Sequence, residues 1–247
     1  MTAKVALVTG GTGGIGTTIC RRLADDGLHV VAAHHPAESE QAAKWLEEQA
    51  GDGRNIDTLA LDVASYEDCA EKLTALVGEH GAVDVVVNCA GITRDKTFKR
   101  MEKDHWYDVI NVNLNSVFNV TRPLWEGMLE RGFGRVINIS SVNGQRGQFG
   151  QTNYSAAKAG MHGFTMALAQ EGASKGVTVN TISPGYVETA MTAAMRDDVR
   201  EAIIAGVPMR RMGTTAEIAD TVAYLVNDQS GYITGANLPV NGGLFMS

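Results

Sequence analysis

The chain has 247 residues, 44% of them hydrophobic and 20% charged, and its 21 Lys and Arg against 28 Asp and Glu give a formal net charge of −7. It contains no apolar run of the roughly eighteen residues that a membrane span requires. The scattered acidic excess also argues against general nucleic-acid binding. The opening MTAKVALVTGG runs straight into a strand pattern without a basic-then-apolar leader, so no secretory signal and a cytoplasmic location are expected. Cys20, Cys69 and Cys89 are odd in number and show neither CxxC spacing nor clustered histidines. Reduced thiols and no metal are the corresponding expectations.

In chain order, short Val- and Ile-rich runs occupy 4–9, 29–33, 56–61, 83–88, 135–140 and 177–183, with a shorter one at 237–240. Helical patterns fall between them at about 14–26, 38–50, 65–79, 103–131, 152–174 and 214–227. Near-continuous apolar strands imply burial on both faces, the mark of a parallel sheet covered by helices. The alternation is unbroken by any linker. It predicts an α/β chain folded as a single doubly wound (Rossmann) domain over 1–247, with a mostly parallel seven-stranded sheet and helices on both faces. Residues 186–213 break the rhythm, and a connection of that length predicts a substrate lid of one or two short helices.

The first strand ends in TGGTGGIG (9–16). Glycines at a strand-to-helix turn let backbone amides approach a phosphate, and the helix dipole favours its charge. The run reads as G-x-G-x-x-G at Gly11, Gly13 and Gly16, or as G-x-x-x-G-x-G at Gly10, Gly14 and Gly16. The second register, with Ile15 inside it, keeps Thr9 before the first glycine and is preferred. Other strand ends are equipped for the same dinucleotide: Asp62-Val63, Asn88-Cys89-Ala90-Gly91, and Pro184-Gly185 followed by Val187 and Thr189. Each alone is no more than a turn; their succession at one rim is the signal.

Tyr154 and Lys158 are spaced i, i+4 in a helical segment and project from one face. An ammonium beside a phenol is expected to lower the phenol's pKa from about 10 and ready it for proton exchange. Ser140-Ser141 closes the strand 135–140 at the same rim, where a hydroxyl could fix a substrate carbonyl.

Together these motifs resemble the short-chain dehydrogenase/reductase family over essentially the whole chain. The glycine run, NCAG, NVNL, ISS, YxxxK and PG stand in the family's order and spacing. The resemblance implies a catalytic tetrad of Asn113, Ser141, Tyr154 and Lys158, with Tyr154 protonating a ketone oxygen and Asn113 positioning a water that links Lys158 to solvent. Tyr154 and Lys158 also fall among its cofactor-binding positions. Within the family the chain is most similar to the acetoacetyl-CoA reductases of polyhydroxybutyrate synthesis, on AGITRD (90–95), the stretch 139–171, KGVTVNTISPGY (175–186) and NGGLFM (241–246). That similarity implies reduction of a short 3-ketoacyl-CoA, acetoacetyl-CoA, to its (R)-3-hydroxy product, and an acyl pocket made by Gln148, Phe149, Gln151 and Tyr186, with Asp95 at its entrance. Arg100, with Arg94, Lys96, Lys99, Arg210 and Arg211, is available for CoA phosphates. A homotetramer is also implied, with interfaces at 152–174 and the C-terminal tail.

Two other readings compete. A 3-oxoacyl-[acyl-carrier-protein] reductase shares the chemistry but tends to carry two basic docking residues; here Lys175 fills one position and Gly132, beside Arg131, the other. A non-catalytic dinucleotide sensor of this fold usually lacks the Tyr or Lys that this chain retains. For the cofactor, NADH and NADPH differ at the adenosine ribose. The segment AAHHPAESE (32–40) has neither the usual Asp nor any Arg or Lys, while Glu38 and Glu40 would repel a phosphate if they faced it. NADH used at least as well as NADPH is the expectation.

Overall fold

A computed structural model describes residues 3–246. Seven strands form one sheet: β1 (Val5–Thr9), β2 (His29–His34), β3 (Ile56–Ala60), β4 (Val85–Asn88), β5 (Gly134–Ile139), β6 (Val177–Pro184) and β7 (Asn237–Val240). Their spatial order is β3-β2-β1-β4-β5-β6-β7, and every pairing is parallel, β7 included. The order reverses between β1 and β4, which opens a crevice beyond their carboxyl ends.

Alternation along the strands divides the core into two layers. Ala6 and Val8 face one layer with Ile19 and Leu23 of α1 (Gly14–Asp25) and Ile218 and Leu225 of α10 (Thr215–Val226). Val5 and Leu7 face the other, with Leu73 and Leu76 of α3 (Tyr66–His80), Leu124 and Met128 of α5 (Ser116–Arg131) and Ala169 of α7 (Thr152–Gly172). The helix α2 (Ser39–Gly51) adds Trp45, whose indole N–H donates to Thr17 Oγ1 at 3.0 Å. No described helix is long and apolar enough to cross a membrane.

The pattern at 103–131 is one continuous helical run in which α4 (Lys103–Ile110) passes through a π turn at Asn111–Asn115 into α5. A further short helix, α6 (Val142–Arg146), starts at Ser141, whose Oγ accepts from Asn143 N at 3.1 Å. The segment 186–213 holds α8 (Ala190–Ala193) and α9 (Asp197–Gly206). Its base is clipped by a bridge between Val187 and Gly213, where Glu188 N donates to Gly213 O and Gly213 N to Tyr186 O.

A chain of buried polar side chains crosses the core beneath the crevice. Asn88 Nδ2 donates to Asn138 Oδ1 (2.8 Å), Asn138 Nδ2 donates to Thr165 Oγ1 (2.8 Å), and Thr165 shares a hydrogen bond with Thr181 (2.7 Å). These bonds join β4, β5, α7 and β6 in one register. Replacing Asn138 with Ala leaves the buried Thr165 hydroxyl and Asn88 amide short of a partner, so the variant is expected to lose about 1–3 kcal/mol of stability. Urea denaturation checks this; a midpoint unchanged from wild type contradicts it.

Candidate active site

The glycine turn is built for close approach of a ligand. Gly10 follows β1 at φ +62°, and a Cβ there would lie 3.0 Å from Ala90 Cα, across the crevice at the end of β4. A Cβ on Gly16 would fall 2.0 Å from Gly10 O, so only glycine closes the turn onto α1. Gly13, the N-cap of α1, provides no side-chain cap, which leaves the first amides of that helix facing the crevice. A Cβ on Gly14 would meet Thr189 Cγ2 at 3.2 Å, so the turn and the residue after β6 converge although 175 positions separate them. Gly11 serves packing instead, since a Cβ there would strike Ala32 at 2.8 Å.

Thr9 latches the two strand ends together: its Oγ1 accepts from Cys89 N (3.0 Å) and Ala90 N (3.1 Å). At the end of β3, Ala64 N donates to Asp62 Oδ1, and Asn119 Nδ2 donates to Val63 O at 3.0 Å. Asn119 was not foreseen as a site residue; it is a buried amide in a helix, and its sequence surroundings carry no motif. Pro184 is buried at the end of β6, and Gly185 donates to Val240 O. The Asn88 side chain is buried, and its Nδ2 donates to Thr121 Oγ1 and Asn138 Oδ1, so that side chain braces the crevice from beneath.

The tetrad positions converge. Lys158 is 4% exposed, its Nζ donates to Ile139 O at 2.8 Å, and it stands 5.7 Å from the centroid of the Tyr154 ring. Ser141 lies near enough to the Tyr154 phenol to lower its pKa. Asn113 is fully buried in the π turn; its Oδ1 accepts from Ile92 N (2.7 Å) and its Nδ2 donates to Ile92 O (2.9 Å). A Cβ on Gly91 would lie 3.3 Å from Asn113 Oδ1 and 3.5 Å from Lys158 Nζ, so both groups border one gap. Ser140 is excluded from that gap: its Oγ donates to Lys158 O and also meets His162 Nε2. Gly144 lets α6 press on the backbone of Lys158, where a Cβ would come within 2.8 Å. Neither His162 nor Gly144 was read from the sequence, because each acts only through contacts made by the fold.

The electrostatics correct one expectation. Burial pushes the Tyr154 phenol up from its ordinary value, Ser141 pulls it partly back, and Asp95 and Cys89 push it further up. Lys158 does not bring it below the ordinary value, because its ammonium is itself desolvated and pushed down to about 8. The Cys89 thiol is pushed up to about 11 by burial and is no nucleophile near neutrality.

The acyl-pocket positions are only partly assembled. Gln151 links two of them, with Nε2 donating to Asp95 Oδ2 (2.8 Å) and Oε1 accepting from Asn143 Nδ2 (3.0 Å). Gln148 is exposed, Phe149 stands 88% exposed in solvent, and Arg100 is exposed on a short 3-10 turn at Phe98–Arg100. Tyr186 lines a separate cleft of about 220 Å³ with Val207, Met209 and Asn241, between the 186–213 segment and the C-terminal turn. Arg211 is not free for a phosphate: both its terminal nitrogens donate to Glu217, whose carboxyl it holds down at about 2.

Residues 4–200 match the family described as short chain dehydrogenase. The chain belongs to the short-chain dehydrogenase family. Among its relatives in that family is an acetoacetyl-CoA reductase of Allochromatium vinosum, 69% identical over 99% of both chains. An acetoacetyl-CoA reductase of Cupriavidus necator is 53% identical over the full length of both. A 3-oxoacyl-[acyl-carrier-protein] reductase of Vibrio cholerae is 46% identical over 98% of both. The chain is thus an oxidoreductase of a family that works with a nicotinamide dinucleotide, and the glycine turn fits that group: its glycines let β1 turn tightly into α1, whose N-terminus carries no side-chain cap and can receive a pyrophosphate.

The burial of Lys158 has a measurable signature. Its folded pKa, near 8, lies below the 10.5 of an unfolded lysine, so the unfolded chain binds more protons between those values. Its destabilising contribution is full below about pH 8 and is relieved as pH rises towards 10.5. Stability of the wild type relative to Lys158→Met is therefore expected to rise by roughly 2–3 kcal/mol across that window. Urea titrations of both proteins at several pH values check this, and parallel pH profiles contradict it.

Proposed function

We propose that this chain reduces acetoacetyl-CoA to (R)-3-hydroxybutyryl-CoA for polyhydroxybutyrate biosynthesis, with Asn113, Ser141, Tyr154 and Lys158 as its catalytic residues. The observation that carries the reading is near end-to-end similarity to a named acetoacetyl-CoA reductase, 69% identical, in a chain whose phenol, hydroxyl and ammonium share one rim of the sheet. The dinucleotide would be held by the amides of Gly14, Ile15 and Gly16, by Asp62 and Val63, by the backbone of Asn88, Ala90 and Gly91, and by Pro184, Gly185, Val187 and Thr189. When bound, it supplies the hydride that the ketone carbon takes up.

The residues do the remainder. Ser141 donates to the ketone oxygen and holds it against Tyr154. The raised phenol keeps its proton at neutral pH and gives it to that oxygen as negative charge develops there. Lys158, still mostly cationic at pH 7 with a value near 8, offsets the phenolate left behind and passes it a replacement proton. Asn113 holds Ile92, and with it the floor beside Gly91, in place. The Asp95–Gln151–Asn143 chain orders the substrate side, and closure of 186–213 over it would bring Tyr186 and Phe149 to the acyl group. Cytoplasmic location and assembly as a homotetramer belong to the same reading, supported for assembly by exposed Tyr107, Phe118 and Met166 on α4, α5 and α7.

The carrier-protein alternative is less well supported. Gly132 and Lys175 lie side by side, with a Gly132 Cβ 3.9 Å from Lys175 O, but Arg131 turns away and donates to Val83 O. Among the described residues at that spot, one cation without an ion pair, Lys175, is left where the alternative wants two. The NADH expectation keeps its main support, the lack of Arg or Lys across 32–40, although Glu40 is engaged by Lys44 along α2 and does not bear on the ribose.

Tyr154→Phe is expected to lower kcat by about 10³-fold or more while dinucleotide affinity stays within about twofold; near-normal turnover removes the assignment. Steady-state assays on acetoacetyl-CoA and on the acetoacetyl carrier-protein thioester, each with NADH and NADPH, should give the higher kcat/KM for CoA and comparable use of NADH. A strong carrier preference shifts the reading to fatty-acid synthesis, and a large NADPH preference refutes the cofactor expectation.

A further inference from the structure

At the opposite end of the strands from the tetrad, three side chains distant in sequence come together. His29 opens β2, Asp57 lies second in β3, and His80 is the last residue of α3. One potential ligand atom from each lies within 4.8 Å of the others. His29 Nε2 is 2.7 Å from Asp57 Oδ2, and the two imidazole rings stand edge to face with centroids 4.7 Å apart.

The fold dictates this meeting. Asp57 pairs with Val31 in the parallel register, and His29, two residues before Val31, faces the same side of the sheet. That side is covered by the stripe of α3 comprising Cys69, Leu73 and Leu76. His80 continues the stripe by one more helical step and lands over the His29–Asp57 pair. His29 is half-buried and Asp57 exposed, so the cluster is open to an ion from solvent.

We propose that His29, Asp57 and His80 form a binding site for a divalent transition cation of the zinc class. Two imidazoles and one carboxylate are a common zinc donor set, with water in the fourth position. Ligands at about 2.0–2.1 Å from a tetrahedral ion stand about 3.3 Å apart. The observed separations bracket that value, so the ion replaces the His29–Asp57 hydrogen bond with small side-chain rotations. The carbonyl end of α3 adds a favourable partial charge. A bound ion would tie the edge strand β3 to β2 and α3 and act as a clamp on the fold, without contact with the reaction.

The test is calorimetric titration of the untagged full chain with ZnCl2, beside His80→Gln and Asp57→Asn. Wild type is expected to bind one ion per chain, each variant at least tenfold more weakly, and saturating zinc to raise the Tm of wild type alone by about 5 °C or more. Unchanged reductase turnover of both variants shows that they are folded. Co2+ should give visible d–d bands without sulfur-to-cobalt charge transfer. Failure of wild type to bind zinc, equal binding by both variants, or a charge-transfer band placing the ion on a cysteine each overturns the site.

Discussion

Lys158 is a cation held almost wholly out of water, and much of the molecule is arranged around that constraint. An ammonium so placed needs acceptors close at hand. It has the Ile139 carbonyl at the end of β5, which is available because β5 ends there and the chain turns into Ser141 and α6. The backbone carbonyl of Lys158 is bound in turn by Ser140 Oγ, so lysine and strand end hold each other from both sides. About two turns along α7, Thr165 joins the Asn138 and Thr181 chain and fixes the same helix at a second point. Apolar packing alone would let α7, rich in alanine and glycine, slide or rotate. Directional polar bonds at two levels stop both motions, and the phenol one turn before Lys158 is aimed as a result.

That arrangement sets stability against use. Desolvation of Lys158 is unfavourable to folding in itself, and the two hydrophobic layers of the sheet must offset it. The π turn at Asn113 belongs to the same pattern. One widened turn interrupts a long helix, and the asparagine it carries is used on both sides by Ile92.

The sequence was most legible where chemistry and periodicity act locally. Each of the seven strands lies within two residues of the apolar run that signalled it, and Tyr154 and Lys158 stand one helical turn apart as their spacing implied. Parallel pairing of β7 could not be read from a four-residue run. The π turn within 103–131 left no trace, because NVNLN contains neither Gly nor Pro and suits a helix as well as a π turn. The helix α6 hid in VNGQR, too short and polar for periodicity, and depends on a Ser141 cap that only the bend after β5 presents. For Asn88 the motif marks the residue, whereas its register in β4, which turns the side chain towards Asn138, is a property of the sheet. The direction of the Tyr154 shift needed burial, which no spacing rule contains.

The bridge between Val187 and Gly213 joins the two ends of an excursion that is also tied to the C-terminal turn, where Met209 N donates to Gly242 O. With the ends pinned, the intervening residues of α8 and α9 form a module whose length and sequence can vary without moving the strand rim. Under the function proposed above, acceptance of longer, shorter or branched acyl groups would drift over evolutionary time independently of the proton-transfer apparatus. One scaffold can in this way yield a series of reductases that differ in diet but not in chemistry.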